Sequence, residues 1–220
     1  MMPLSSGNEL RNDTRPLPRQ RWRLLQVLGV ALLLLSPAAG ASAAQLASKQ
    51  TSNNKPHAHV YLLRGAFNIF SLGMDEIAEK LHRYGIYATV NNYLAWPSLA
   101  EEAAADYKAG RVRTIILVGH SSGATAVTEM AARLGELGVP VKLAIGLDPT
   151  SRETASGHVD RYVNYYIANG LGTPVTKGKQ FNGVLQNVDV EKNQELGHFN
   201  IDKNQALQQK VISEIRAAAL

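Results

Sequence analysis

A serine between two glycines is the feature of this sequence with the clearest chemical potential. Ser121 stands within residues 119–123, Gly-His-Ser-Ser-Gly. The apolar, β-branched run 114–118 precedes this motif, and the helix-forming stretch 124–134 follows it. A strand, a sharp turn and a helix in that order form a nucleophile elbow, whose strained turn exposes the serine hydroxyl and leaves backbone N–H groups beside it. The pattern therefore predicts that Ser121 is a nucleophile.

A serine hydroxyl needs a neighbouring base, because it is a poor nucleophile at neutral pH. The usual base is a histidine oriented by a carboxylate. These partners are expected on loops at the carboxyl edge of a parallel sheet, with the acid before the histidine in the chain. His198 lies between the last predicted strand and the last predicted helix, whereas His82 lies on a helix and His158 precedes a strand. Chain order and elimination therefore predict His198 as the base.

Two carboxylates compete for the role of the acid. Asp148 directly follows the predicted strand 141–147, at the edge where the serine is expected. Pro149 follows it and predicts an extended backbone at Asp148. Asp160 precedes its strand and is assigned to the opposite edge, but Asp189 ends the last predicted strand and remains an alternative. The geometry favours Asp148 and leaves Asp189 open.

Backbone donors near the serine complete the predicted site. The N–H of Ser122 should hold an oxyanion together with an N–H from the loop after the strand 60–63. Ala66 is the predicted second donor, with Phe67 next, because no bulky side chain shields the backbone there. His120 is expected to pack or to form a hydrogen bond beside the elbow.

Three other side chains have less definite roles. Asp202 follows His198 by four residues and could either tune that histidine or cap a helix. His57 and His59 form a His-x-His pair at the start of a strand, where a metal-binding role is not expected. The sequence has no cysteine, which excludes thiolate metal sites and disulfides. We predict neither a metal nor an organic cofactor.

Apolar runs that alternate with helical periodicities must position these residues. Segments 149–160 and 170–182 lack periodicity and are predicted as loops, and Ser98 is predicted to cap the helix that follows Pro97. Strands that alternate with helices predict a three-layer α/β sandwich with a mostly parallel sheet of about six strands. The predicted strands are 60–63, 86–90, 114–118, 141–147, 161–168 and 183–190.

The start of the chain has the pattern of a secretory signal peptide. Residues 1–23 are polar and carry several arginines, residues 24–39 are uncharged and leucine-rich, and Ala-Ser-Ala follows at 41–43. An uncleaved membrane anchor is the alternative. Cleavage would make the protein periplasmic or secreted, with no stable membrane span. The predicted organisation is a signal peptide at 1–43, a flexible lead-in at 44–57 and a single domain at 58–220.

Charge argues against a nucleic-acid partner. The 220 residues are enough for one sizeable core and carry a formal net charge of +5. The predicted leader holds five arginines and only two acidic residues, so the remainder is nearly neutral. A nearly neutral domain lacks the basic surface that nucleic-acid binding requires.

These features resemble the α/β-hydrolase superfamily over essentially the whole mature chain. Residues 63–66, Leu-Arg-Gly-Ala, are similar to the His-Gly-x oxyanion turn of lipases, with Arg64 in place of histidine. Residues 119–123 match the lipase-type elbow. Residues 146–149, Gly-Leu-Asp-Pro, resemble a segment of the pancreatic-lipase-like group, in which the acid follows this strand, and residues 197–198 resemble the usual setting of the histidine.

The resemblance implies a minimal α/β-hydrolase fold without a lid domain and a compact lipase- or esterase-like serine hydrolase. It implies a catalytic triad of Ser121, Asp148 and His198, and it supports Asp148 over Asp189. The implied substrate is a small-molecule or lipid ester. A thioesterase or an amidase on the same triad is an alternative, and so is a non-catalytic binding protein on the same fold.

Overall fold

The computed structural model describes residues 57–66, 71–192 and 195–220. The predicted signal peptide and all but the last residue of the predicted lead-in lie outside these ranges. In chain order the elements are β1 Ala58–Arg64, α1 Gly73–Arg83, β2 Tyr87–Asn92, α2 Trp96–Lys108, β3 Thr114–His120, α3 Ser122–Glu136, β4 Val141–Leu147, β5 Thr154–Ala155, β6 Val159–Tyr166, β7 Thr176–Lys177, β8 Val184–Asp189 and α4 Gln205–Ala219.

Six of the strands form one parallel sheet. Their order across the sheet is β2-β1-β3-β4-β6-β8, and all five neighbouring pairs run parallel. Parallel neighbours require crossover connections, and helices provide most of them here. The predicted fold class, a three-layer α/β sandwich with about six strands, is therefore confirmed.

The central strands are buried on both faces, because helices cover the sheet from two sides. In β1, Val60 and Leu62 pack with the cluster that includes residues of α1 and α4. Tyr61 and Leu63 point the other way and pack with residues of α2 and α3. This alternation is the two-residue period of a strand. The near-continuous apolar runs of the sequence therefore mark strands whose two faces belong to different cores.

The order of the strands places a topological switch point at the carboxyl ends of β1 and β3. The chain runs from β1 outward to β2, then crosses back to β3 on the other side of β1. Helices on either side of such a switch point diverge, and ligands of open α/β sheets bind there. The elbow of Ser121 follows β3, and the loop of Gly65 and Ala66 follows β1. Both segments therefore lie at this switch point.

Two local predictions differ from the structure. The segments predicted as loops each contribute a two-residue strand, β5 and β7, which pair in parallel; a two-residue strand is too short to show periodicity. Ser98 does not cap α2, which begins at Trp96 after Ala95, and the Ser98 hydroxyl instead donates to the Ala95 carbonyl over 2.9 Å. Pro97, with its fixed φ, is suited to the first helical turn, so the helix starts earlier than the cap pattern indicated.

Among the residues that the structure describes, none of the helices combines the length and the apolar character needed to cross a membrane.

Candidate active site

Close backbone contacts explain why glycine stands on both sides of the elbow serine. A Cβ atom on Gly119 would lie 2.1 Å from the carbonyl oxygen of Gly123. A Cβ on Gly123 would lie 2.1 Å from the carbonyl oxygen of Leu63 in β1. The end of β3, the first turn of α3 and the end of β1 therefore approach at distances that exclude any side chain.

The backbone of Ser121 is strained. Its φ is 58° and its ψ is −124°, which few residues other than glycine adopt. Such a conformation costs about 1–3 kcal/mol and persists only where surrounding contacts enforce it. Here Ser121 N–H donates to the Leu147 carbonyl over 2.9 Å, and the Ser121 carbonyl accepts from Ala124 N–H over 2.9 Å. These bonds hold the serine at the start of α3, where the first N–H groups have no intrahelical partner.

Ser121, His198 and Asp148 form a continuous hydrogen-bond chain. The Ser121 hydroxyl lies 2.9 Å from His198 Nε2, and His198 Nδ1 lies 2.7 Å from Asp148 Oδ2. Since a carboxylate accepts, Nδ1 carries the proton and Nε2 is free to accept from the serine. Asp148 is fully buried, while the His198 side chain is 10% exposed. The arrangement can remove a proton from the serine while the carboxylate holds the imidazole in one tautomer.

The Asp148 backbone contradicts the extended conformation that Pro149 predicted. Its φ is 53°, in the left-handed region that aspartate tolerates better than most residues. The Asp148 N–H extends the ladder by donating to the Tyr165 carbonyl over 2.7 Å, and the carboxylate turns so that Oδ1 accepts from Ile167 N–H over 2.9 Å. A Cβ on Gly172 would lie 1.8 Å from Asp148 Oδ1. The loop after β6 therefore encloses the carboxylate.

The other candidate acids and histidines form different contacts. Asp189 Oδ1 accepts from the backbone N–H groups of Ala168 and Glu191, at 3.3 and 2.9 Å, and thereby caps the end of β8. Asp160 pairs with Lys142 over 2.9 Å at the amino end of β6. Among the residues that the structure describes, neither aspartate bonds to His198. His82 Nε2 donates to the Ala88 carbonyl over 2.8 Å.

The β1–α1 loop brings the predicted second oxyanion donor to the elbow. A Cβ on Gly65 would lie 2.9 Å from Ser121 Cβ, so this loop touches the serine directly. The next residue is Ala66, whose N–H donates to no residue in the described ranges. Arg64, which stands where lipases carry histidine, bonds through Nε to Asp75 of α1 over 2.9 Å. This ion pair holds the loop from its β1 side. Phe67, the second choice for this donor, lies outside the described residues.

Ser71 is a buried residue of the site that sequence reasoning did not identify. Its hydroxyl contacts both Gly65 N–H and the ring of His120, and it is 1% exposed. No local motif marks it, because its partner His120 is 49 positions away in the chain. His120 itself, expected to pack or to form a hydrogen bond beside the elbow, is buried and forms two hydrogen bonds there.

Asp202 caps a helix, the second of the two roles that the sequence left open. Its Oδ2 accepts from Gly73 N–H at the start of α1 over 2.9 Å. A Cβ on Gly73 would lie 2.1 Å from the Asp202 carbonyl oxygen. Asn204, two residues on, caps α4 by accepting from Leu207 N–H over 3.0 Å. Asp202 therefore joins the segment that follows His198 to the helix that follows the β1–α1 loop.

Asp202 is expected to make stability depend on pH. Burial raises the pKa of its carboxyl to about 6, above the value of an unfolded aspartate. The folded chain keeps this proton to a higher pH than the unfolded chain does. The free energy of unfolding that Asp202 contributes is therefore largest below about pH 4 and is lost as the pH rises through about 6.

Denaturant titrations of the wild type and of Asp202→Asn at pH 4 and pH 7 test this expectation. As the pH rises from 4 to 7, the free energy of unfolding of the variant should increase relative to that of the wild type, by roughly 3 kcal/mol at most. Comparing the two proteins cancels the contributions of other titrating groups. A stability difference that is the same at both pH values would contradict the expectation.

The His-x-His pair does not form a metal-binding group in the described part of the chain. His57 is exposed, whereas His59 is buried and stacks on Tyr61 with ring centroids 3.7 Å apart. His59 Nε2 lies 2.9 Å from the Thr89 hydroxyl. Within the described residues, no three histidine, cysteine or acidic side chains gather in a group that could hold a metal ion.

The chain is similar to a provisionally assigned hydrolase of the alpha/beta superfamily from Xanthomonas campestris pv. campestris, with 16% identity and a TM-score of 0.45. The match covers 72% of this chain and 98% of that protein. No protein-family model and no curated protein sequence matches the chain. The six-stranded parallel sheet, with the elbow at its carboxyl edge, confirms at the level of the fold the resemblance to the α/β-hydrolase superfamily.

Proposed function

We propose that this protein is an exported serine hydrolase that cleaves carboxylic esters. The observation that carries the proposal is the hydrogen-bond chain from Ser121 through His198 to Asp148, with 2.9 and 2.7 Å between successive groups. The strained backbone of Ser121 supports it, because strain of this kind concentrates at functional sites. The proposed location rests on the predicted signal peptide.

In the proposed reaction, Ser121 Oγ attacks the ester carbonyl carbon while its proton passes to His198 Nε2. The tetrahedral intermediate carries an oxyanion that the N–H groups of Ser122 and Ala66 stabilise. His198 then gives the proton to the leaving alkoxide, so an alcohol departs and an acyl-enzyme remains. A water molecule, deprotonated by His198, attacks the acyl-enzyme; the bond between the acyl carbon and Ser121 Oγ then breaks, Oγ takes the proton from His198, and the carboxylic acid is released. Asp148 orients the imidazole and stabilises its cation throughout.

Esters are the proposed class because their cleavage needs little beyond this machinery. The alkoxide needs only the proton that His198 took from the serine. In the described ranges, the connections from β4 to β6 and from β6 to β8 carry only the short strands β5 and β7, which supports a site without a lid domain. His198 keeps partial exposure, so a substrate carbonyl has access to the Ser121–His198 pair. These features favour small or accessible esters.

Covalent labelling tests the proposal. A serine-reactive fluorophosphonate probe should label the wild type at Ser121, and the label should be absent in Ser121→Ala. Ser122→Ala is a matched control, because the adjacent serine contributes only its backbone N–H and labelling should persist. Labelling of Ser121→Ala, or none of the wild type, would contradict the proposal. A panel of p-nitrophenyl esters, thioesters and anilides then distinguishes esterase activity from thioesterase and amidase activity.

A further inference from the structure

Ser71 and His120 form a buried hydrogen-bond chain that connects three segments of the site. The Gly65 N–H donates to Ser71 Oγ over 2.9 Å, and Ser71 Oγ lies 2.8 Å from His120 Nδ1. His120 Nε2 lies 2.8 Å from the carbonyl oxygen of His198. Both side chains are only 1% exposed. The chain therefore runs from the β1–α1 loop, through the elbow, to the segment that bears His198.

The direction of each hydrogen bond follows from the acceptor at the end of the chain, the carbonyl oxygen of His198. A carbonyl oxygen only accepts, so His120 Nε2 carries a proton and donates to His198. A neutral ring then presents Nδ1 as an acceptor, and the Ser71 hydroxyl must donate to it. Ser71 Oγ is left with lone pairs for the Gly65 N–H. Every polar group of the chain is satisfied in one arrangement, which is the condition for a buried network to be rigid.

His120 remains neutral in this environment. Burial lowers the pKa of its imidazole to about 4. Its ring centroid lies 5.1 Å from that of His198. In the proposed reaction His198 becomes a cation, and a second positive charge at that distance would oppose the change. A neutral His120 holds the His198 backbone without adding this repulsion.

We propose that Ser71 and His120 are positioning residues for ester hydrolysis, Ser71 for the oxyanion loop and His120 for the backbone of His198. This inference rests on the proposed function. The loop needs such support because Gly65 touches the elbow, where its Cβ would lie 2.9 Å from Ser121 Cβ. Ala66 follows directly, so a shift at Gly65 moves the proposed oxyanion donor. A displacement of about 1 Å in such a site can reduce the rate about 100-fold.

Ser71→Ala is expected to lower kcat about 10-fold or more and to change KM less than about threefold. The reason is that the Gly65 N–H loses its acceptor and the oxyanion loop is no longer held. A trifluoromethyl ketone gives a direct readout of the oxyanion donors: Ser121 Oγ adds to its carbonyl carbon, the serine proton passes to His198, and an oxyanion forms. The variant should bind this inhibitor more weakly by a factor similar to its loss of kcat.

His120 is tested with two replacements. His120→Phe keeps a ring and removes both hydrogen bonds, so it should lower kcat about 10-fold or more. His120→Gln restores an N–H near the position of Nε2, and it should recover much of that loss by donating to the His198 carbonyl. A His120→Phe enzyme within about threefold of wild-type kcat would overturn the role of His120, and so would a glutamine variant no better than phenylalanine.

Thr128→Val is the matched control for loss of a buried hydroxyl. Thr128 is 5% exposed, and its hydroxyl lies 2.9 Å from that of Tyr162. This variant should lower the Tm but keep kcat and ketone affinity. Equal losses of kcat in Thr128→Val and Ser71→Ala would overturn the positioning role, and so would unchanged kcat and ketone affinity in Ser71→Ala. A wild type that neither hydrolyses esters nor takes the fluorophosphonate label would instead overturn the proposed function, and the positioning role with it.

Discussion

Replacing Asp148 by asparagine is expected to lower kcat for ester hydrolysis about 10⁴-fold while the protein stays folded. Ile167 N–H donates to Oδ1, so it dictates which end of an asparagine amide faces it. The amide oxygen would turn to Ile167 and the NH₂ group to His198. His198 Nδ1 would then have to accept, and Nε2 would carry the proton. In that tautomer Nε2, the atom that faces Ser121, has no lone pair to accept the serine proton.

Asp189→Asn is the control, because Asp189 was the competing acid in the sequence. Its carboxylate accepts only backbone N–H bonds from Ala168 and Glu191 among the described residues. An asparagine oxygen can replace it there, so kcat should stay within about threefold of wild type. Initial-rate kinetics with a p-nitrophenyl ester check both variants. If Asp189→Asn lost more activity than Asp148→Asn, the assignment of the acid would be wrong.

Gly123→Ala is expected to lower the free energy of unfolding by more than about 4 kcal/mol. The added Cβ would lie 2.1 Å from the Leu63 carbonyl oxygen. That oxygen belongs to the backbone of a central strand, so no side-chain rotation relieves the overlap. Either β1 or the first turn of α3 must move, and both belong to the packed core. The measurement is denaturant unfolding followed by circular dichroism, and poor soluble yield would be in line with the expectation.

Gly138→Ala is the matched control for this substitution. Gly138 has a φ of +72°, but an added Cβ would meet no atom within 4 Å. Only the left-handed backbone should cost stability, about 1–2 kcal/mol. A difference of several kcal/mol between the two variants would show that close packing, and not glycine's flexibility, explains the motif. Similar losses in both variants would contradict this explanation.

The fold could be predicted from the sequence because its signals are local. Run 115–118 is apolar at every position, and run 141–147 is interrupted only by Lys142, which is typical of strands covered on both faces. The alternation of these runs with helical periodicities leaves few topologies with short right-handed crossovers. Within the described residues, the observed order of elements agrees with this reading, apart from the short β5–β7 pair and the start of α2.

The buried contacts that support the candidate site from outside could not be predicted. Ser71 bonds to His120 across 49 positions, and Asp202 bonds to Gly73 across 129. Neither pair follows a recurring spacing in the sequence, because each contact forms where two distant segments meet in the folded chain. The left-handed backbone of Asp148 is a similar case. Pro149 biases it toward an extended conformation, but the bonds to Tyr165 and Ile167 outweigh that local preference.

The sequence by itself determined the elbow, the order of the elements and the edge of the sheet at which the candidate site residues meet. It placed both Asp148 and Asp189 at that edge, since each follows a strand. The sequence favoured Asp148 without excluding Asp189, and in the tertiary structure His198 bonds to Asp148. β4 lies next to β3, whereas β8 lies three strands away from β3, at about 14 Å. Since His198 bonds to Ser121 at the end of β3, it reaches the carboxylate that follows the neighbouring strand β4. The order of the strands is set by packing across the whole sheet, which local sequence patterns do not reveal.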